Sequence, residues 1–157
     1  MSAPVAFAAR PASEMEWEDL LVRYEIGPRA LRIALDDAQG VAGEARTRVC
    51  DLLRALVFNE LWTADLFRSM HEGGRPAHGS PRIEQLPDDP RALYDRYAAL
   101  RGRNFAAVQR RGLEVWAWQA EAHPHGTVTA HQLIHAATAL DGETLAGVRE
   151  AARGAGV

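Results

Sequence analysis

The sequence predicts an all-α protein folded as one four-helix bundle. Apolar residues recur every three or four positions along four long segments, as amphipathic helices require. The apolar/polar alternation typical of strands is confined to Gly126–Thr129. The chain has 157 residues, which suits a single domain with a substantial hydrophobic core. We therefore place residues 1–157 in one domain and expect frayed ends at about 1–12 and 154–157.

The first two helices are predicted over Glu14–Asp37 and Gly43–Met70. Ser13 is suited to cap the first helix, because its hydroxyl can accept a hydrogen bond from the first turn. Gly27 and Pro28 lie inside that segment. Because proline lacks a backbone N–H, we expect a kink or a new turn there.

The third helix is predicted over Pro90–Ala120, with proline at a first-turn position. The fourth is predicted over Thr129–Arg153, where Thr129 and Gln132 form a capping-box pattern. A long connection rich in glycine and proline, His71–Asp89, separates the second helix from the third. Four helices with such connections favour a bundle.

Composition excludes several classes of protein. A net charge of -3 and a pI near 6.1 argue against direct binding to nucleic acid or to a membrane surface. No apolar run approaches the roughly 18 residues of a membrane span, so we expect a cytoplasmic protein. All 18 basic residues are arginine, which we attribute to codon bias. Cys50 is the only cysteine, so neither an internal disulfide nor a cysteine zinc cluster is expected.

Polar residues interrupt the apolar faces of three predicted helices. Glu60, Asn104 and Thr144 each lie near the centre of an apolar stripe, and Asp141 lies to one side of the last. A buried carboxylate is costly unless it is paired, and Arg101 is within reach of Glu60. These five residues are the candidate pocket, because bundles build ligand sites from such interior groups. The alternative is that Glu60 is purely structural and is tied to an arginine or to a tyrosine hydroxyl.

Histidines suggest metal chemistry, but their placement argues against it. His131 and His135 have the i, i+4 spacing of two-histidine metal sites, and His123 and His125 precede them in a loop. His135 is predicted opposite the apolar stripe and His131 at its edge, so we expect both to be exposed. A metal site built from these four residues is therefore the weaker alternative. Two further histidines in the long connection are also expected to be exposed: His71 and His78.

Two other side chains bear on partners and reactivity. Trp62 is predicted away from the inner stripe of its helix, and an outward tryptophan favours a protein contact. A second copy of the chain is the simplest partner, which predicts a homodimer. Cys50 flanks an apolar stripe and is expected to be a small buried hydrophobe.

Four stretches of the chain carry a family resemblance. Leu21–Leu31 contains a tyrosine followed by Gly-Pro and a leucine pattern, and Leu53–Glu60 ends in an acidic residue. His123–Thr129 begins His-Pro and ends in threonine, and Leu133–Leu145 contains the acidic residue Asp141. In these stretches the chain resembles the DinB/YfiT-like family of metal-binding four-helix bundles, over nearly its whole length. The resemblance implies an up-down-down-up bundle. It also implies links to metal-dependent hydrolysis, to transferases that use low-molecular-weight thiols, and to the DNA-damage response.

The positions where that family holds its metal are occupied here by other residues. The resemblance places them at Ala55 or Leu56 on the second helix and at Leu140 and Thr144 on the last. Leucine cannot bind a metal, and a threonine hydroxyl is a poor ligand for a nickel- or zinc-like ion. We therefore expect a degenerate metal site and no cofactor, with a divalent metal only at a non-family site.

The expected function follows from this degeneracy. We expect a stress- or DNA-damage-associated bundle that binds a small molecule or is non-catalytic. One alternative is a metal-dependent hydrolase or low-molecular-weight-thiol S-transferase with a rearranged site that uses Glu60 and Asp141. The other alternative is a protein–protein interaction module.

Overall fold

A computed structural model describes residues 3–73 and 85–156. Those residues form four long helices: α1 (Glu14–Asp37), α2 (Gly43–Glu72), α3 (Pro90–Gln109) and α4 (Ala130–Gly154). Short elements lie before α1 and between α3 and α4: 3-10 helices at Pro4–Ala6 and Gly112–Ala117, and strands β1 (Gln119–Glu121) and β2 (Thr127–Thr129). The prediction of an all-α protein is confirmed. The prediction for His78 lies outside the described residues.

The four helices surround a common core. Both α1 and α2 pack against α3 and α4. At one end of the bundle, the starts of α1 and α4 pack against the ends of α2 and α3, through Trp17, Leu133, Phe67 and Val108. At the opposite end of the bundle, the other halves of the four helices pack together, through Ala34, Val148, Val49 and Leu93. The helices therefore run up, down, down and up in chain order.

The prediction that the third helix extends to Ala120 is wrong. α3 ends at Gln109, and Gly112 adopts a φ of 54°, a left-handed conformation that an α-helix cannot continue through. β1 and β2 follow as an antiparallel hairpin in which Gln119 pairs with Thr129. Apolar residues in this stretch recur at helical intervals, although they lie in the 3-10 helix and the hairpin: Leu113, Trp116, Ala117 and Ala120.

The start of the fourth helix was predicted correctly. Thr129 is the N-cap of α4, its side chain accepts a hydrogen bond from the Gln132 N–H, and the Gln132 side chain accepts one from the Thr129 N–H. The capping box satisfies two backbone donors at the helix start. It fixes where α4 begins and hence the direction of the histidines in its first two turns.

α1 continues through Pro28 without a break, in contrast to the predicted interruption. Because proline has no N–H, the carbonyl of Tyr24, four residues earlier, lacks its helical donor. Arg101 Nη1 of α3 donates to that carbonyl at 2.8 Å. The Tyr94 hydroxyl also donates to the Pro28 carbonyl, at 2.9 Å. The proline therefore creates an acceptor inside the bundle, which α3 fills.

The structure also bears on three smaller expectations. Cys50 is fully buried, as predicted, and burial raises the pKa of its thiol. Trp62 is half-buried and packs against the core rather than standing clear of it. Among the helices described, none is long and apolar enough to cross a membrane.

Candidate functional site

Arg101 lies at the centre of the bundle with 1% of its surface exposed. A guanidinium carries five N–H donors, and every one has an acceptor here. Its Nε and Nη2 lie 2.8 Å from Glu60 Oε1, and its Nη1 and Nη2 lie 2.7 and 3.0 Å from the two oxygens of Asp141. The remaining donor reaches the Tyr24 carbonyl. The predicted pairing of Arg101 with Glu60 is confirmed.

Glu60 is fully buried, and both of its oxygens are engaged. Oε1 accepts from Arg101, whereas Oε2 accepts from the Tyr24 hydroxyl at 3.0 Å and from Asn104 Nδ2 at 2.8 Å. Asn104 Nδ2 also lies 2.9 Å from the Glu60 carbonyl oxygen. No oxygen of Glu60 remains for a substrate proton or a metal ion, so its environment is that of a structural ion pair.

Asp141 connects this network to α4. Its Oδ1 accepts from the Tyr97 hydroxyl at 2.5 Å, in addition to Arg101. The close approach of α4 to α1 depends on Gly27, where an added Cβ would lie 2.2 Å from Asp141 Oδ2. Asp141 is also the network member that borders a surface cleft, between α1 and α4.

The electrostatics of the network keep its two tyrosines and its arginine in fixed protonation states. Burial, together with the charge of Glu60, raises the pKa of the Tyr24 hydroxyl well above its ordinary value. Burial likewise raises the pKa of Tyr97. Burial alone would lower the pKa of Arg101, but the neighbouring carboxylates, Glu60 first, raise it. The arginine also stacks over the Tyr24 ring, 4.1 Å from its centroid. These groups neither gain nor lose a proton near neutral pH.

Of the five predicted pocket residues, four share this network and Thr144 does not. Thr144 is buried, and its hydroxyl has no hydrogen-bond partner in the part of the chain that the structure describes. Leu56 and Leu140, at two of the positions where the resembling family holds its metal, pack in the apolar core. These leucines bring no ligand atom to the centre of the bundle.

A second cluster, which we call the His–Glu cluster, consists of Glu16, His131 and His135. One ligand atom from each side chain lies within 4.8 Å of the other two. Within the described residues this is the single group of three or more such side chains that could hold a metal ion. Glu16 comes from the first turn of α1, and the two histidines come from successive turns of α4.

His131 is held by the chain that precedes α1. Its Nδ1 lies 2.7 Å from the carbonyl oxygen of Ala8, which can only accept, so Nδ1 carries the proton. In the neutral ring Nε2 then carries the lone pair, and it is buried with no hydrogen-bond partner among the described residues. A histidine that metal ions bind is commonly oriented in this way, by a carbonyl on its other nitrogen. His131 is 2% exposed, so the prediction that it faces solvent is wrong.

His135 is half-buried rather than exposed, because the N-terminal segment covers its face of α4. The Phe7 ring stacks on it, with centroids 5.3 Å apart and planes 7° apart. Burial, followed by the nearby His131 and Arg23, lowers the pKa of His135. The imidazole is therefore uncharged at neutral pH, which is the form that binds metal ions. His135 also lines the α1–α4 cleft, of about 400 Å³.

Glu16 is positioned by the cap of α1. Its backbone N–H donates to the Ser13 hydroxyl at 3.1 Å, and its Oε2 accepts from the Ala12 N–H at 2.7 Å. The carboxylate is thereby turned toward the N-terminal segment and α4. One oxygen is sufficient for a monodentate metal ligand, so the bond from Ala12 is compatible with metal binding.

The remaining histidines lie elsewhere. His123 is exposed in the hairpin loop, and His125 meets the edge of Trp62, 6.0 Å between ring centroids. His71 is exposed, as predicted, and its Nε2 lies 2.5 Å from Arg111 Nη2. The four-histidine alternative is thus divided, and two of its members join Glu16.

Sequence reasoning missed Glu16 as a partner of the histidines. The i, i+4 spacing of His131 and His135 was visible, but the carboxylate is more than a hundred residues away in sequence. The available signal was its N3 position after Ser13, which explains a helix start without indicating a metal. The segment expected to fray supplies the orienting carbonyl of Ala8, and further carbonyls at Phe7 and Ala9 accept from α4.

Comparisons with protein-family models, with curated proteins and with solved structures gave no match in any of the three.

Proposed function

We propose that the protein is a divergent DinB-like bundle that binds one divalent transition-metal ion at the His–Glu cluster. The up-down-down-up order of its helices and the four resembling stretches support the first part. The observation that carries the second part is the buried, unpartnered Nε2 of His131, in a side chain that offers a ligand atom within 4.8 Å of a second imidazole and a carboxylate. The metal site is then relocated from the bundle centre, where Arg101 lies, to the end where α1 and α4 begin.

The donor set favours a particular group of ions. Two imidazoles and one carboxylate are typical of zinc, nickel, cobalt and iron(II) sites. Magnesium and calcium prefer oxygen ligands alone and are disfavoured. Three protein ligands leave at least one coordination position open, which is typical of sites where a bound ion meets a second ligand.

The spacing of the cluster is compatible with such an ion after a small adjustment. Ligand atoms around one tetrahedral zinc ion stand roughly 3.4 Å apart. The three ligand atoms lie within 4.8 Å of one another. Side-chain rotations that move each atom by about 1 Å would therefore bring all three to bonding distance of one ion. Glu16 and His135 are both partly exposed, which leaves them room for that rotation.

The test is metal binding by protein from which any purification tag has been removed. Isothermal titration with zinc, nickel and cobalt is expected to give one ion per chain. His135→Gln and Glu16→Gln each remove one ligand, and we expect each to weaken binding by at least about tenfold. Circular dichroism verifies that both variants retain the helical fold.

His123→Gln is the matched control, because His123 is exposed in a loop and belongs to no such cluster in the described chain. It is expected to bind metal as the unaltered protein does. Absence of stoichiometric binding by the unaltered protein, or equal affinity in all three variants, would falsify the proposal.

Metal-dependent hydrolysis or thiol transfer is the second candidate, favoured by one observation. His135 belongs both to the His–Glu cluster and to the wall of the α1–α4 cleft, which Asp141 and Arg23 also line. A substrate in that cleft would lie beside the metal position. Turnover of a model ester or thiol substrate by metal-loaded protein, abolished by His135→Gln but not by His123→Gln, would establish it. Turnover that survives His135→Gln would exclude this site.

A further inference from the structure

α1 carries an apolar stripe on its outer face, away from the rest of the bundle. Its members are Met15, Val22, Ile26 and Ile33, which are 73%, 53%, 43% and 64% exposed. They account for four of the six large hydrophobic side chains that are exposed in the described residues. Apolar surface concentrated in one line on one helix indicates a contact, whereas scattered exposed residues do not.

The spacing of the stripe is that of a helix that pairs with another helix. The intervals are seven, four and seven residues, so the four side chains fall within about 20° of one line along α1. Asp19 and Arg29 lie between them along the helix, each about 40° from the same line. We call the stripe together with these two charged residues the seam. The seam therefore has an apolar centre, apolar ends, and one charge of each sign placed symmetrically about the centre.

From this symmetry we propose that the stripe binds a second copy of the chain, with the two α1 helices antiparallel about a two-fold axis near residue 24. Val22 of each chain then faces Ile26 of the second copy, and Met15 faces Ile33. In the same register Asp19 of each chain lies in the same layer as Arg29 of the second copy. A two-fold interface requires such self-complementarity, because one surface patch must match itself.

A parallel arrangement is disfavoured by the same residues. It would place Asp19 against Asp19 and Arg29 against Arg29, and like charges in a seam destabilise pairing. The antiparallel register also places Glu18 next to Arg32 of the second copy on one flank of the seam. Arg23 and Glu25 are on the rim, where solvent screens their charges.

The stripe borders the cleft that contains His135. Ile26 belongs to the stripe and also lines the α1–α4 cleft, together with its neighbours Gly27 and Ala30. A second copy seated on the stripe would extend one wall of the cleft and narrow its mouth. The dimer is proposed independently of metal binding, because no ligand of the His–Glu cluster belongs to the stripe.

Sedimentation equilibrium from about 10 µM to about 1 mM tests the proposal. We expect a species of twice the 17.2 kDa of the chain at the upper concentrations. Ile26→Glu places a charge at the centre of the seam, and we expect it to leave only monomer. Leu113→Glu is the matched control, since Leu113 is 54% exposed but lies off α1, and we expect it to dimerise normally.

A charge exchange distinguishes a second copy from any other partner. Asp19→Arg alone and Arg29→Asp alone each create two like-charge contacts, and each should weaken dimerisation by about tenfold or more. The double variant restores both pairs and should recover the original affinity. A monomer at 1 mM, a dimer that survives Ile26→Glu, or a double variant as weak as the single variants would each overturn the proposal.

Discussion

The two polar clusters of this protein differ in how completely their atoms are bonded. Around Arg101, every guanidinium donor and both Glu60 oxygens have partners, and the group has almost no exposed surface. In the His–Glu cluster, a buried ring nitrogen of His131 has no hydrogen-bond partner in the described chain, and His135 opens onto a cleft. A satisfied buried network is explained by stability alone, whereas an oriented buried nitrogen without a partner is available to a further ligand.

The largest effect is expected when the buried network around Arg101 loses its positive charge. Arg101→Met leaves two buried carboxylates without their cation, and we expect a loss of about 3–5 kcal/mol in the free energy of unfolding. Urea denaturation measures it. Arg101→Met combined with Glu60→Gln and Asp141→Asn serves as the rescue, because it removes the two buried charges as well, and it keeps the test usable if the single variant does not fold. A single variant as stable as the unaltered protein would contradict a structural network.

The next effect concerns the contact between α1 and α4. Gly27→Ala would place a methyl group against Asp141 Oδ2, and we expect a loss of about 1–3 kcal/mol. Gly142→Ala is the control, because Gly142 is also helical but an added Cβ there meets nothing within 4 Å. That change is expected to be neutral or to stabilise by up to about 1 kcal/mol. Thermal denaturation should show a loss for Gly27→Ala alone, and equal losses in both variants would contradict the close approach.

Thr144 is an intermediate case between the two clusters. Its buried hydroxyl has no hydrogen-bond partner among the described residues, and it belongs to no ligand cluster there. Thr144→Val keeps the shape and removes the polar atom. We expect the free energy of unfolding to be unchanged or to rise by about 1 kcal/mol, and metal affinity to be unchanged. A clear loss of stability would show that the hydroxyl has a partner.

The smallest effect is the pH dependence of stability from His135. Its folded-state pKa is lowered by burial, so the folded protein binds fewer protons than the unfolded chain. Stability should therefore fall as pH decreases below the unfolded value of about 6.5, until the lowered folded-state pKa is passed. His135→Gln removes this contribution, so its urea midpoint should change less between pH 7 and pH 5. An identical change in both proteins would contradict the lowered pKa.

Local signals in the sequence predicted much of the fold. The span of α1, the capping box at Thr129 and the pairing of Glu60 with Arg101 all follow from spacing along a helix and from the cost of burying charge. The hairpin after α3 was missed because the apolar residues between Leu113 and Ala120 recur at helical intervals. The His–Glu cluster was missed because it depends on which helices are neighbours and on residues 3–12, which cover the face of α4 predicted to be exposed.

The central claim is that the metal position lies at His131 and not at Arg101. A crystal soaked in zinc and measured at the zinc absorption edge locates the ion directly. We predict one anomalous peak, about 2.0–2.2 Å from His131 Nε2, from an imidazole nitrogen of His135 and from a carboxylate oxygen of Glu16. A peak beside Glu60 or Asp141, or no peak at His131 in fully soaked crystals, would contradict the account.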